Sequence, residues 1–273
     1  MNGRRISGIA RASRINRRYW NAMAPRWGQW VDSIGLTSRF FGRGGVTFES
    51  PDSSEQVPPA ARRRIDALIR SLAGNVRGKQ VVDLQCGAGE ATLAWANLGA
   101  RVTGVDLADE RVATARTKAA EAGIEARFVR ADVSRLPFGP ASFDLVYTGG
   151  GVIGWLPDLN SWGREIGRVL KRGGRFVLYD THPLVRFLDW KTVGSRRPTL
   201  AGDYFDQVSR VYGNAKDWPD QAETKWKLSD VVNALTKAGL VVRHMEELPK
   251  YTRRPSKTRV RFPYKWILSC QKP

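Results

Sequence analysis

The sequence predicts an α/β protein, and three observations carry that expectation. A short apolar run, Val81 to Leu84, reads as a buried strand, breaks into Gly87-Ala88-Gly89, and continues into a helical stretch, Ala91 to Ala96. Four further strand-like runs follow at Arg101–Asp106, Ala126–Val129, Phe143–Tyr147 and Arg175–Asp180, separated by helical or turn segments. The second of the five strands ends in a carboxylate, Asp106, 17 residues beyond Gly89. Strand, glycine turn, helix is how a nucleotide-binding α/β half begins. Glycine serves there because a ligand can approach bare backbone only where no Cβ intrudes. An acid closing the next strand can accept both hydroxyls of a ribose.

These residues, together with Asp132 after the third strand, make residues 80–185 resemble the class I S-adenosylmethionine (SAM)-dependent methyltransferases of the small-molecule kind. The resemblance implies a three-layer, Rossmann-like, seven-stranded and mostly parallel sheet with an N-terminal helical lid. It also implies SAM as co-substrate and S-adenosylhomocysteine as product. The glycine loop, Asp83, Gln85, Gly87 and Gly89, would hold the methionine part. Asp106 would hold the ribose and Asp132 the adenine amino group, with Leu107, Val133 and Thr148 as further cofactor-binding candidates. The family loop usually reads Asp-x-Gly-x-Gly-x-Gly, and Gln85 stands where its first glycine belongs. Some small-molecule members carry Leu-Gln-Cys there, so Gln85 is read as a variant.

A nicotinamide dinucleotide is the rival ligand. Its fingerprint needs a third glycine for close helix–strand packing, and the position three after Gly89 is Thr92. Nor does a second catalytic domain follow. Both points count against a dehydrogenase.

The chain has 273 residues, of which 42% are hydrophobic, enough for a three-layer core. Two cysteines, Cys86 and Cys270, form no disulfide framework and fit a reducing, cytoplasmic setting. No apolar run reaches the roughly 18 residues needed to cross a bilayer. The net charge is +19, and no carboxylate precedes Asp32, while Arg4, Arg5, Arg11, Arg14, Arg17 and Arg18 do. Residues 1–18 read as a basic, disordered arm, with an organelle transit peptide as the alternative. Strong positive charge steers polyanions to a surface, so weak, non-specific nucleic-acid contact through the basic termini is expected, and no membrane partner.

Residues 19–74 read as a helical cap. It opens on Trp20, Trp27 and Trp30, which either pack on the core or cover the cofactor pocket, and it closes on an amphipathic helix from Pro59 to Leu72. Residues 75–273 form the SAM-binding domain. Helices are expected over Asp109–Ala122, Trp162–Leu170 and Leu228–Ala238, with late strands over Leu240–Met245 and Tyr264–Cys270. Between the fifth strand and the last helix, residues 184–225 mix aromatic and basic side chains, where the resembled family places substrate recognition. Tyr204 is the candidate there.

Methyl transfer from a sulfonium is an in-line displacement, in which alignment supplies much of the advantage. A phenol, carboxylate or neutral amine acceptor needs little else; an alcohol or an ammonium benefits from a base. His182, directly after the fifth strand, is the candidate general base, and a plain turn-capping role is its alternative. Thr148 to Asp158 is the loop that would face the methyl group, with Trp155 a substrate-binding candidate. It lacks the Asn/Asp-Pro-Pro-aromatic signature of amino-group methylation. No cluster with metal-ligand spacing is present in the sequence. The expected function is methyl transfer from SAM to oxygen or nitrogen of a small molecule. RNA methylation and cofactor binding without turnover are the alternatives.

Overall fold

The computed structural model describes residues 3–33, 48, 58–189, 191–192, 197–213, 219–249 and 262–273; within the first segment, side chains are described through Pro25. The expected loop over residues 42–58 and the basic linker at Lys250–Arg261 lie, Phe48 and Pro58 apart, outside the described residues.

Seven strands form the central sheet: β2 (Gln80–Leu84), β3 (Arg101–Asp106), β4 (Arg127–Arg130), β5 (Phe143–Gly149), β6 (Leu170–Thr181), β9 (Val241–Pro249) and β10 (Pro263–Gln271). Their order is β4-β3-β2-β5-β6-β10-β9. All neighbours through β6 are parallel, whereas β10 is antiparallel to both β6 and β9. This is the expected three-layer α/β fold. Chain order reverses between β2 and β5, and ligands in open α/β sheets bind at the carboxyl ends of strands beside such a reversal.

Successive side chains on a strand point to opposite faces, and β2 divides its apolar residues accordingly. Val82 and Leu84 join the core beneath α5 (Leu159–Val169) and α6 (Leu228–Lys237), while Val81 joins the core beneath α2 (Pro59–Ala73) and α3 (Glu90–Asn97). Ile65 and Ile69 of α2 are fully buried on Trp95 and Leu145. Asp158 caps α5, its carboxylate accepting from Asn160 N and Ser161 N at 2.9 and 3.2 Å. The sheet's fifth-strand boundary differs from expectation: β6 starts at Leu170, so Lys171–Gly174 lie within the strand and do not form a turn before it.

The N-terminal arm is a correction. The arm expected over residues 1–18 is, from Gly3 on, not a disordered tail: Arg4–Arg5 form a short strand, β1, and Ile9–Ser33 form one helix, α1. β1 pairs with β7 (Arg210–Tyr212), which pairs with β8 (Gln221–Glu223), making a second, three-stranded sheet. The buried residues Ala12, Val211 and Ala222 weld α1 to that sheet. The basic arm and the insertion are therefore one structural unit. Among the described residues no helix is long and apolar enough to cross a membrane.

Two glycines set the contact between α5 and α6. A Cβ on Gly163 would stand 2.6 Å from Ala234 O, and one on Gly167 2.7 Å from Ala238 O, both fixed backbone atoms. Gly163→Ala should cost about 1–3 kcal/mol through overpacking. Urea unfolding is expected to show a lowered midpoint with an unchanged slope; an unshifted midpoint would show that the helices can slide apart freely.

Candidate active site

Asp106 ends β3 beside the loop that leaves β2. Its carboxylate is nearly sealed, with 9% of the residue exposed, and both oxygens accept backbone bonds: Oδ2 from Gly87 N and Oδ1 from Ala108 N, each at 2.9 Å. Burial raises its pKa above the ordinary value; the Ala108 and Gly87 amides and nearby Arg111 oppose that rise. One side chain thus fixes both the glycine loop and the turn into α4 (Asp109–Glu121).

The two glycines of the loop do different things. Gly87 has φ 56°, and a Cβ placed on it would meet nothing within 4 Å, so its bare backbone faces the open space of a cavity. Gly89, at φ 89°, starts α3, and a Cβ there would press on Ala115 and Phe128 at 3.0 Å. Its role is packing of helix on sheet.

Asp83 is buried within β2 and accepts from Thr92 Oγ1 at 2.6 Å. The hydroxyl that excludes a third glycine therefore serves to hold this carboxyl. Burial pushes the Asp83 pKa up to about 7; the Thr92 bond opposes the rise, and the neighbouring charges of Glu90 and Asp106 add to it. Asp132 accepts from Ser134 N and Ser134 Oγ, both on Oδ1, which leaves Oδ2 for another donor.

On the far side of the cavity, the loop after β5 is tied down by Asp180. Val152 N and Ile153 N donate to its two oxygens at 3.1 and 2.9 Å. Arg186 bonds Gly151 O and forms an ion pair with Glu223 of β8 at 2.9 Å. Gln85 reaches across from the glycine loop and donates to Val152 O at 3.2 Å.

Helix α1 is the roof. Asn16 is buried and uses both ends of its amide, donating to Trp155 O at 3.1 Å and accepting from Ala222 N at 2.7 Å. Trp20 packs edge-on against Trp155 at 4.8 Å, and Tyr19 stacks on the same ring at 5.3 Å. Arg111 lies 4.8 Å over Trp20. Arg17 and Arg130 share Asp109 at the rim.

Together these parts enclose a cavity of about 200 Å³. Of the residues expected at the site, Trp20, Asp83, Gln85, Gly87, Asp106, Leu107, Asp132, Val133 and Trp155 line it. Gly89 and Thr148 do not; Thr148 is fully buried and its hydroxyl donates to Leu84 O at 3.0 Å. Tyr204 packs on Phe187 and Phe205, and its hydroxyl accepts from Leu228 N, inside the insertion and away from the cavity lining. The side chain of Trp27 lies outside the described residues.

His182 is the second correction. It is 5% exposed, does not line the cavity, and caps the short turn Pro183–Phe187: its Nδ1 accepts from Leu184 N at 3.1 Å. With Nδ1 as acceptor, the proton of the neutral ring sits on Nε2, 2.8 Å from Glu247 Oε1. Burial lowers its pKa, with the Glu247 carboxylate opposing. Nδ1 is committed to the turn and Nε2 lies against the Glu247 carboxylate away from the cavity lining, so the ring is not placed to serve as the expected general base. Tyr147, a secondary candidate for shaping the acceptor pocket, lines the cavity too; sequence reading missed Ser13, Asn16, Phe48 and Arg111, which also line it.

Residues 82–178 match the model of a methyltransferase domain family. Among curated relatives, a sterol 4-C-methyltransferase of Caenorhabditis elegans is 33% identical over 134 residues, covering 45% of this chain and 40% of that protein. A ubiquinone biosynthesis O-methyltransferase of Bordetella avium is 34% identical over 113 residues, covering 41% and 46%. The chain thus spans less than half the length of these two relatives. A SAM-dependent methyltransferase of Mesorhizobium loti of known structure superposes with a TM-score of 0.59 at 25% identity, covering 76% of this chain and 96% of that one. The cavity fits the group that these comparisons imply. Open space over Gly87 admits a ligand to bare backbone, and Asp106 and Asp132 keep acceptor capacity at its edge.

The raised Asp83 pKa makes a prediction about stability. The folded protein keeps a proton that the unfolded chain has already released, so stability falls as pH rises from about 4 through about 7. Asp83→Asn removes that dependence. Relative to wild type, the variant should gain about 2–3 kcal/mol between pH 5 and pH 8. Denaturant titrations at the two pH values check this, and a pH-independent gap between the proteins would contradict it.

Proposed function

We propose that this chain, whose residues 82–178 match a methyltransferase domain family, is a class I SAM-dependent methyltransferase that methylates oxygen or nitrogen of a small, largely apolar acceptor. SAM, its co-substrate, supplies the methyl group as a sulfonium for an in-line displacement. The observation that carries the acceptor reading is the character of the cavity's second end. Val152, Trp155, Leu156 and Pro157 line it beneath the Trp20 ring of α1, whereas the carboxylates Asp83, Asp106 and Asp132 belong to the strand ends and glycine loop.

The chain's own contribution is positioning. Asp106 accepts from the ribose hydroxyls while its existing backbone bonds hold the glycine loop in place; Asp132 accepts from the adenine amino group; the amides around Gly87 receive the methionine end. The aromatic roof aligns the acceptor and excludes water, a form of help that can reach many orders of magnitude in effective concentration. With His182 committed to Leu184 and Glu247, the reaction suits a nucleophile that needs no strong base, such as a phenol, a carboxylate or a neutral amine.

The relatives named for a sterol and for ubiquinone biosynthesis support a small-molecule acceptor. A polynucleotide is the less suited partner. The cavity is roofed by a helix whose arginines Arg11, Arg14 and Arg18 are exposed, while the side chains that line it are Ser13, Asn16, Trp20 and Ala24. Backbone phosphates would meet the outer face and stop there.

Two measurements test this reading. Calorimetry with S-adenosylhomocysteine should show binding that Asp106→Ala weakens about ten-fold or more, as expected when a charged hydrogen-bond partner is removed; NAD should give no heat. Wild-type affinity in that variant would contradict the ribose assignment. Incubation with methyl-labelled SAM and separate pools of small metabolites and RNA should place the label in the small-molecule fraction. Label confined to RNA would contradict the acceptor class.

A further inference from the structure

We propose that Gln85 is a positioning residue that couples the loop on the cofactor side of the cavity to the loop on the acceptor side, Gly149–Pro157, so that ordering one orders the other. The ligand in this inference rests on the methyltransferase reading; the residue rests on geometry.

Three observations carry it. Gln85 sits at φ 56°, and among the described residues only it and Ala141 occupy positive φ without being glycine. A side chain in that region is crowded against its own backbone, and such strain persists where the surroundings impose it, often at functional sites. Next, the amide of Gln85 spans two elements. Its Nε2 donates to Val152 O at 3.2 Å, and its Oε1 stands 3.3 Å from Thr148 Oγ1, a hydroxyl that also donates to Leu84 O. Finally, Gln85 and Val152 both line the cavity, and Thr148 is sealed behind them.

Asp180, Arg186 and Asn16 also bond the acceptor loop, but Gln85 reaches it from the cofactor side. Gly150 and Gly151 have positive φ and no side chain to anchor. Val152 is gripped on its amide side by Asp180, and its carbonyl accepts from Trp155 N at 3.1 Å within the same turn. Gln85 supplies the bond from outside the turn, and it comes from the residue directly preceding Cys86 and Gly87. Movement of the glycine loop onto a ligand is thereby passed to Val152 and to the turn Ile153–Trp155, which carries the ring under the roof. A glycine at this position would relieve the strained φ and lose the coupling.

Hydrogen exchange followed by mass spectrometry tests the coupling in the full chain. In wild type, S-adenosylhomocysteine should slow exchange in peptides covering residues 149–157 by about ten-fold. Two variants separate strain from contact: Gln85→Gly removes both, and Gln85→Leu keeps a side chain at φ 56° but has no amide. With each variant saturated by S-adenosylhomocysteine, β2, β3 and β6 peptides should exchange as in wild type, yet most of the ligand-induced slowing at 149–157 should be lost. Slowing equal to wild type in both variants would overturn the coupling and leave the methyltransferase reading standing. Loss of protection across the sheet would overturn it too, by showing a merely structural role. No binding to wild type would overturn the methyltransferase reading and the coupling with it.

Discussion

The buried carboxylate of Asp106 is the constraint on which the site depends. Removing a charged group from water is expensive unless it is hydrogen-bonded, and here two backbone amides perform that service. The arrangement is reciprocal. Gly87 and Ala108 stabilise the charge, and the charge fixes the two turns to which they belong, one after β2 and one after β3. Parallel pairing of those strands, Leu84 opposite Val105, places the turns side by side at the sheet's carboxyl edge. Binding geometry follows from strand register before any ligand contact is made.

A second dependence runs through the roof. Asn16 links α1 to the acceptor loop through Trp155 O and to the insertion through Ala222 N, and β1 adds a strand to the insertion's sheet. Residues near positions 16, 155 and 222 therefore behave as one body over the cavity. The ion pairs of Asp109 with Arg17 and Arg130 at the rim are exposed and add little to holding this body in place.

The central strands β2, β3 and β5 were legible because they are runs buried on both faces, the ordinary mark of parallel sheets. The glycine turn and the acids after β3 and β4 could be read for the same reason: each sits at a strand end. What sequence did not disclose was direction. His182 also sits at a strand end, but its ring turns back to cap Leu184 and meet Glu247. Gly89 and Thr148 belong to the right segments and face the packing side. The basic arm was misjudged differently. Helix α1 buries Ala12, Asn16, Tyr19 and Met23, a face with few aliphatic side chains to mark it, while its arginines dominate the composition. β7 and β8 are three residues long, too short for alternation to register. A buried asparagine with both amide atoms engaged was the missing signal, and only three-dimensional contact reveals it.

A crystal structure with S-adenosylhomocysteine tests most directly whether Asp106 organises both the glycine loop and the bound nucleoside. It should show the ribose hydroxyls on the Asp106 carboxylate, with the Gly87 N to Asp106 Oδ2 bond of 2.9 Å retained and the homocysteine end over Gly87. A nucleoside bound elsewhere in the cavity, or a ribose reached only after that bond had broken, would contradict it.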